Sequence, residues 1–206
     1  MNALSIEAQS GEPLAAWFSP ERKGAGAREQ RFECASFGDR VSGRCWWPER
    51  APAGLVLAIH ALGRDKNDAA LANAAASWSV AGFATAAIDL PLHGERHNAK
   101  LSQRAVAASA PGAQADLALW QGLLAQAVRD LARALDALAT RGPLPPVACV
   151  AFGDAAGIAL AFASLDARVA RAAAIGSPRT FPLDLGANPA KPLAWMARPG
   201  DLVSAR

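Results

Sequence analysis

The chain has no apolar run approaching the ~18 residues that a membrane-spanning helix needs. Its opening, Met1-Asn2-Ala3-Leu4-Ser5-Ile6-Glu7, lacks a basic stretch followed by an apolar one. No membrane association is expected, and a cytoplasmic location follows as the default. Cysteine is sparse: Cys34, Cys45 and Cys149 show no CxxC spacing, which removes support for a zinc site. Cys34 and Cys45 flank an expected hairpin turn and stand where they can face each other across it, but in a reducing compartment both are expected to be free thiols. Basic clusters are also missing. Lys and Arg total 21 against 18 Asp and Glu, a net charge of +3, and the arginines are scattered rather than interleaved with stacking aromatics. A nucleic-acid partner is therefore not expected. No motif calls for a cofactor or a metal. Histidine is as scarce as cysteine, with only His60, His93 and His97, and none beyond residue 97.

What is present fits one domain. The 206 residues suffice for a sizeable core, and 52% hydrophobic against 19% charged residues is a globular rather than a disordered balance. Residues 1–28 read as an irregular arm or edge element, with the domain proper at 29–206. Arg31 to Phe37 and Val41 to Trp47 bracket Gly38-Asp39-Arg40, which makes an antiparallel hairpin. Leu55 to Ile59 is a continuous apolar run, as in a strand buried on both faces. Asp65 is placed to cap a helix carrying Leu71, Ala75 and Trp78 on one face and ending at Gly82. Phe83 to Ile88 is the next strand, and 98–114 reads as a loop or small insertion. Leu117, Trp120, Leu124, Val128, Leu131, Leu135 and Leu138 recur at three and four, which predicts a long amphipathic helix. Val147 to Phe152, a helix over Ile158 to Leu165, Val169 to Ile175 and Leu193 to Met196 complete the set. A hairpin followed by strand–helix alternation means an α/β protein: a mainly parallel sheet with helices on both faces, whose chemistry belongs at the carboxyl ends of the strands.

Three of those strand ends carry recognisable text. They are Ile59-His60-Ala61-Leu62-Gly63, Asp89-Leu90-Pro91-Leu92-His93-Gly94-Glu95-Arg96, and Phe152-Gly153-Asp154-Ala155-Ala156-Gly157. In this order on these elements they resemble the α/β-hydrolase superfamily, in particular its dienelactone-hydrolase-like and small esterase branch, from about Phe32 to Val203. The resemblance implies the α/β-hydrolase fold and a place for each part of an ester-hydrolysing site. The loop after the first parallel strand would lend the Leu62 N–H to an oxyanion hole, and Asp154, following the nucleophile position, would supply the second donor. His60 and His93 would shape the walls of that pocket. The Gly-x-Ser-x-Gly elbow of such enzymes needs small residues two before and two after a strained nucleophile. Reading without gaps, Gly153 takes the nucleophile position between Ala151 and Ala155; a shift by two puts Ala155 there instead. Neither frame offers a nucleophile. A third frame makes Asp154 the nucleophile, crowded by Phe152.

Of the two remaining parts of the pattern, the acid is partly retained and the base is missing. Asp201, after Gly200, matches the triad acid, but a turn-capping surface aspartate accounts for it equally well. The histidine expected beyond the acid is absent. No catalytic set is intact. The leading expectation is a non-catalytic α/β-hydrolase-fold binding or interaction module with an inherited small-molecule pocket. An active hydrolase of small esters with a rearranged site, Asp154 working with His60 or His93, is a second expectation. A third is a truncated, inactive hydrolase, whose exposed sheet edge at Leu193 to Met196 would otherwise serve a homodimer.

Overall fold

The computed structural model describes residues 12–24, 26–108 and 117–175, together with the backbone of 193–196. Two short strands, β1 (Trp17–Phe18) and β2 (Arg22–Lys23), lie antiparallel to β3 (Arg28–Ser36), so residues 17–23 run along the sheet edge. β3 pairs antiparallel with β4 (Asp39–Trp47), and β4 pairs antiparallel with β6 (Phe83–Ile88). From there the sheet is parallel: β6, β5 (Gly54–Ile59), β7 (Val147–Phe152), β8 (Val169–Ile175) and β9 (Leu193–Met196). The order β1-β3-β4-β6-β5-β7-β8-β9 puts β5 at the centre, between β6 and β7.

Every residue of β5 is buried, which explains its unbroken apolar run. Leu55, Leu57 and Ile59 face a cluster built with α3 (Leu117–Ala139) and α4 (Ala156–Leu165). The α3 residues Leu124, Val128, Leu131, Leu135 and Leu138 all enter that core, as their spacing predicts. Val56 and Ala58 point the other way, to Leu71, Ala75 and Trp78 of α1 (Ala69–Val80). Helices therefore cover both faces. Alanine does much of this packing: Ala159, Ala161 and Ala163 of α4 are buried, and small side chains let the helix lie close to β7 and β8. No helix among the described residues is long and apolar enough to cross a membrane.

Four local expectations need correction. The hairpin turn is Phe37–Gly38, with Asp39 already paired to Ser36. Both turn residues have positive φ, 52° and 76°, the two-residue geometry that matches strand twist. A phenylalanine there is held from outside: the Glu12 carboxylate accepts both turn N–H groups at 2.8 and 2.7 Å, and Arg129 lies over the Phe37 ring. Cys34 and Cys45 are consequently not opposite each other; they pair with Val41 and Gln30. Both are buried free thiols, and burial pushes Cys34 up to about 12. The cap of α1 is Asp68, accepting from Ala70 and Leu71 at 2.9 and 3.3 Å, while Asp65 closes a local turn on the Asn67 N–H. Finally, 99–108 is a helix, α2, whose Ala105 packs on Trp120 and Leu123; residues 109–114 lie outside the described ones.

Candidate functional site

The central strand β5 and its two neighbours deliver their carboxyl ends side by side, so the loops at 60–63, 89–96 and 153–155 meet at one end of the sheet. β7 gives way to a single 3-10 turn at Gly153–Ala155 and then to α4. The sharp point of this turn is Gly153, at φ 58°. Ala155 has φ −77° and ψ 2°, and Asp154 is not among the residues with positive φ. Of the three candidate frames, only the one centred on Gly153 has the left-handed backbone that a nucleophile elbow requires. Glycine takes that conformation without the strain of a side chain. A Cβ built there would stand 3.3 Å from the Cβ of Ala61, so the neighbouring loop closes tightly over the turn.

The Leu62 N–H does point at this turn, but it is occupied. It donates to Oδ1 of Asp154 at 3.0 Å. The two positions matched to oxyanion donors, Leu62 and Asp154, are thus bonded to each other. A hydrogen bond to an ionised acceptor is worth roughly 1.5–3 kcal/mol, about twice a neutral one, so this contact fixes both loops. Asp154 is half-buried, and its Oδ2 has no hydrogen-bond partner among the described residues.

The two site histidines differ in what they leave free. His60 is fully buried; its Nε2 accepts from the Leu90 N–H at 3.1 Å, so Nδ1 carries the proton and donates to the Ala61 carbonyl at 2.9 Å. Burial holds it down at about 4, neutral at physiological pH with both nitrogens committed. It ties the 60–63 loop to the 89–96 loop. His93 donates from Nδ1 to the Pro91 carbonyl at 2.8 Å, and its Nε2 is buried with no partner among the described residues. Burial lowers its pKa too, so that nitrogen is an acceptor. The rings of His60 and His93 lie 5.3 Å apart. His97 is exposed at the end of the 94–96 turn and takes no part. Asp201 lies outside the described residues. No group of three or more His, Cys, Asp and Glu side chains among the described residues could hold a metal ion.

No protein-family model matches this sequence, and no curated protein matches it either. Solved structures do match. A cold-adapted esterase from an Arctic intertidal metagenomic library is similar over 75% of this chain and 63% of its own, at 24% identity and a TM-score of 0.61. An acetyl xylan esterase from Paenibacillus sp. R4 matches over 81% of this chain and 54% of its own, at 22% identity and a TM-score of 0.60. Acetyl xylan esterase 1 from Thermoanaerobacterium sp. matches over 82% and 55%, at 16% identity and a TM-score of 0.59. The chain has the α/β-hydrolase fold. It spans less than two thirds of the length of each of these esterases.

Within this α/β-hydrolase fold, a buried charge network that the sequence did not expose holds the site loops. Lys66 is almost fully buried; its Nζ reaches Asp89 Oδ2 at 2.6 Å and Glu95 Oε1 at 2.9 Å. Asp89 also accepts the backbone N–H groups of Lys66 and Glu95, at 3.0 and 2.9 Å. Position 94 is restricted to glycine, because a Cβ there would run into the Asp89 carboxylate. Arg96 bridges Asp130 of α3 and Asp39 of β4, and Asp130 takes further bonds from Ser36 and Gln126. The signal was an Asp directly after a strand followed by Gly-Glu-Arg, but the partners of these residues lie far along the chain. At the opposite end of the sheet, a cavity of about 550 Å³ is lined by Gly54, Val56, Phe83, Pro146, Ala148 and Arg171. These residues lie at or beside the strand starts, remote from Gly153.

Proposed function

We propose that this chain is a non-catalytic α/β-hydrolase-fold protein that binds a small molecule at its strand ends instead of cleaving an ester there. The observation that carries this reading is the Leu62 N–H held by Asp154 Oδ1 at 3.0 Å, beside an elbow whose residue is Gly153. Ester hydrolysis on this fold needs a nucleophile at the left-handed turn and an open donor for the oxyanion. Gly153 offers no hydroxyl, and an oxyanion entering the hole would meet a carboxylate already there. In this reading Gly153 occupies the former nucleophile position, and Leu62, Asp154, His60 and His93 form the ligand pocket.

The rearranged hydrolase is the second reading, and one observation favours it: the Nε2 of His93, which has no partner among the described residues. His60 cannot be its base, because both of its nitrogens are spent on backbone groups. Assay of the purified chain with p-nitrophenyl acetate separates the two. The binding-module reading expects no hydrolysis above an inert control protein. Saturable turnover that disappears in both Asp154→Asn and His93→Ala would replace it with the rearranged-site hydrolase.

A further inference from the structure

Two hydrogen-bond acceptors at the strand ends have no donor among the described residues, one of them buried and the other half-exposed. His93 commits its only N–H to Pro91 and keeps a bare lone pair on Nε2, although the residue is only 4% exposed. Asp154 uses Oδ1 on Leu62 and leaves Oδ2 without a partner among the described residues. Asp154 is bonded to the Leu62 N–H, and the ring of His60, two residues before Leu62, lies 5.3 Å from the His93 ring, so the two acceptors belong to one locality. Two side-chain donors of these loops are already engaged: His60 Nδ1–H by Ala61, and the buried Lys66 ammonium by Asp89 and Glu95. A buried acceptor without a partner, as His93 Nε2 is, is costly to keep and marks a place where something else donates; the half-exposed Asp154 carboxylate adds negative charge beside it.

We infer that this site takes a ligand that donates hydrogen bonds and carries positive charge, a small primary amine with an apolar body, and that it rejects carboxylates. The inference rests on the binding-module reading and gives that site its ligand class. The ammonium pairs with Asp154 Oδ2, and a second N–H reaches His93 Nε2 directly or through one water. The apolar body lies against Leu62 and Leu92, which are half-buried and packed on Ala105, Trp120 and Leu123. In this respect the site inverts an oxyanion hole: where that hole presents donors to forming negative charge, this one presents acceptors and a resident carboxylate.

The test is a titration of the ¹⁵N-labelled chain with benzylammonium chloride, benzyl alcohol and sodium benzoate, followed by NMR. Benzylammonium is expected to bind best, benzyl alcohol more weakly and benzoate not measurably, with shifts at the Leu62 and Gly153 amides and at the His93 ring nitrogens. Asp154→Asn should weaken benzylammonium about tenfold, the loss of one charge-assisted contact, while changing benzyl alcohol little. The comparison among the three probes uses the unmodified chain, so it stands even if the variant folds poorly. Benzoate binding as tightly as benzylammonium, shifts confined to residues away from 60–63, 92–94 and 153–154, or no binding of the amine would each overturn the inference. Ester turnover by the same sample would overturn the non-catalytic reading instead, whatever the order of the probes.

Discussion

Gly153→Ala isolates the physical reason for glycine at the elbow. Alanine at φ 58° places Cβ against the backbone of its own turn, at about 1–2 kcal/mol. A second contribution comes from the surroundings, because the new Cβ stands 3.3 Å from the Ala61 Cβ and that loop must shift by a few tenths of an ångström. The same loop holds the Leu62 N–H on Asp154, so its displacement loosens the 3.0 Å bond. Together these give a loss of about 1.5–2.5 kcal/mol, a drop of roughly 3–10 °C in Tm for a chain of this size. Gly38→Ala is the control: φ is 76° there, but no atom lies within 4 Å of the added Cβ, so only the backbone contribution of about 1 kcal/mol remains. Urea unfolding followed by far-UV circular dichroism, with m unchanged between variants, measures both. A midpoint for Gly153→Ala that equals the unmodified chain, or falls less than that of Gly38→Ala, would refute the strained-elbow assignment.

Lys66→Met should destabilise by about 3–5 kcal/mol, because Asp89 is then left buried and charged without its cation. Urea unfolding of Lys66→Met and of Lys66→Met/Asp89→Asn checks this, the double variant being expected to recover part of the loss. Stability should also fall with acid between about pH 6.5 and pH 4 through His60. The unfolded chain protonates this histidine near 6.5 and the folded chain only at about 4, so the unfolded state binds more protons in that window and the loss reaches about 3 kcal/mol. Urea midpoints across that pH range should flatten in His60→Asn. Gly153→Ser alone should not yield an esterase, since the Leu62 N–H stays on the Asp154 carboxylate and offers no open donor to an oxyanion; p-nitrophenyl acetate hydrolysis at control level is the expected result.

Much of the fold was legible because its signals are local. The apolar runs of β5, β6 and β7 and the three–four spacing from Leu117 to Leu138 need no knowledge of partners, and they place the three site loops at one end of the sheet. The turn at Gly153 was readable in the same way, as a glycine directly after a strand. The errors came where a distant group decides the outcome. A left-handed Phe37 makes sense only once Glu12 and Arg129 are seen against it. Asp65 and Asp68 look equivalent in sequence, and the helix start chooses between them. Residues 99–108 carry few large apolar side chains, and α2 gains its footing from Ala105 on Trp120. The direction of the Asp154 side chain depends on a loop 92 residues earlier, and that direction bears most on function.

One hydrogen bond, Leu62 N–H to Asp154 Oδ1, separates a closed site from an open one, and the amide proton of Leu62 reports it directly. In ¹H–¹⁵N spectra of the unmodified chain this proton should resonate downfield, as expected for an N–H bonded to a carboxylate. Asp154→Ala should move it upfield by more than the amides of its loop neighbours Ala61 and Gly63, while the rest of the spectrum stays folded. A Leu62 amide that is indifferent to Asp154→Ala would mean the donor is open in solution, and would contradict the reading of this site as closed to ester chemistry.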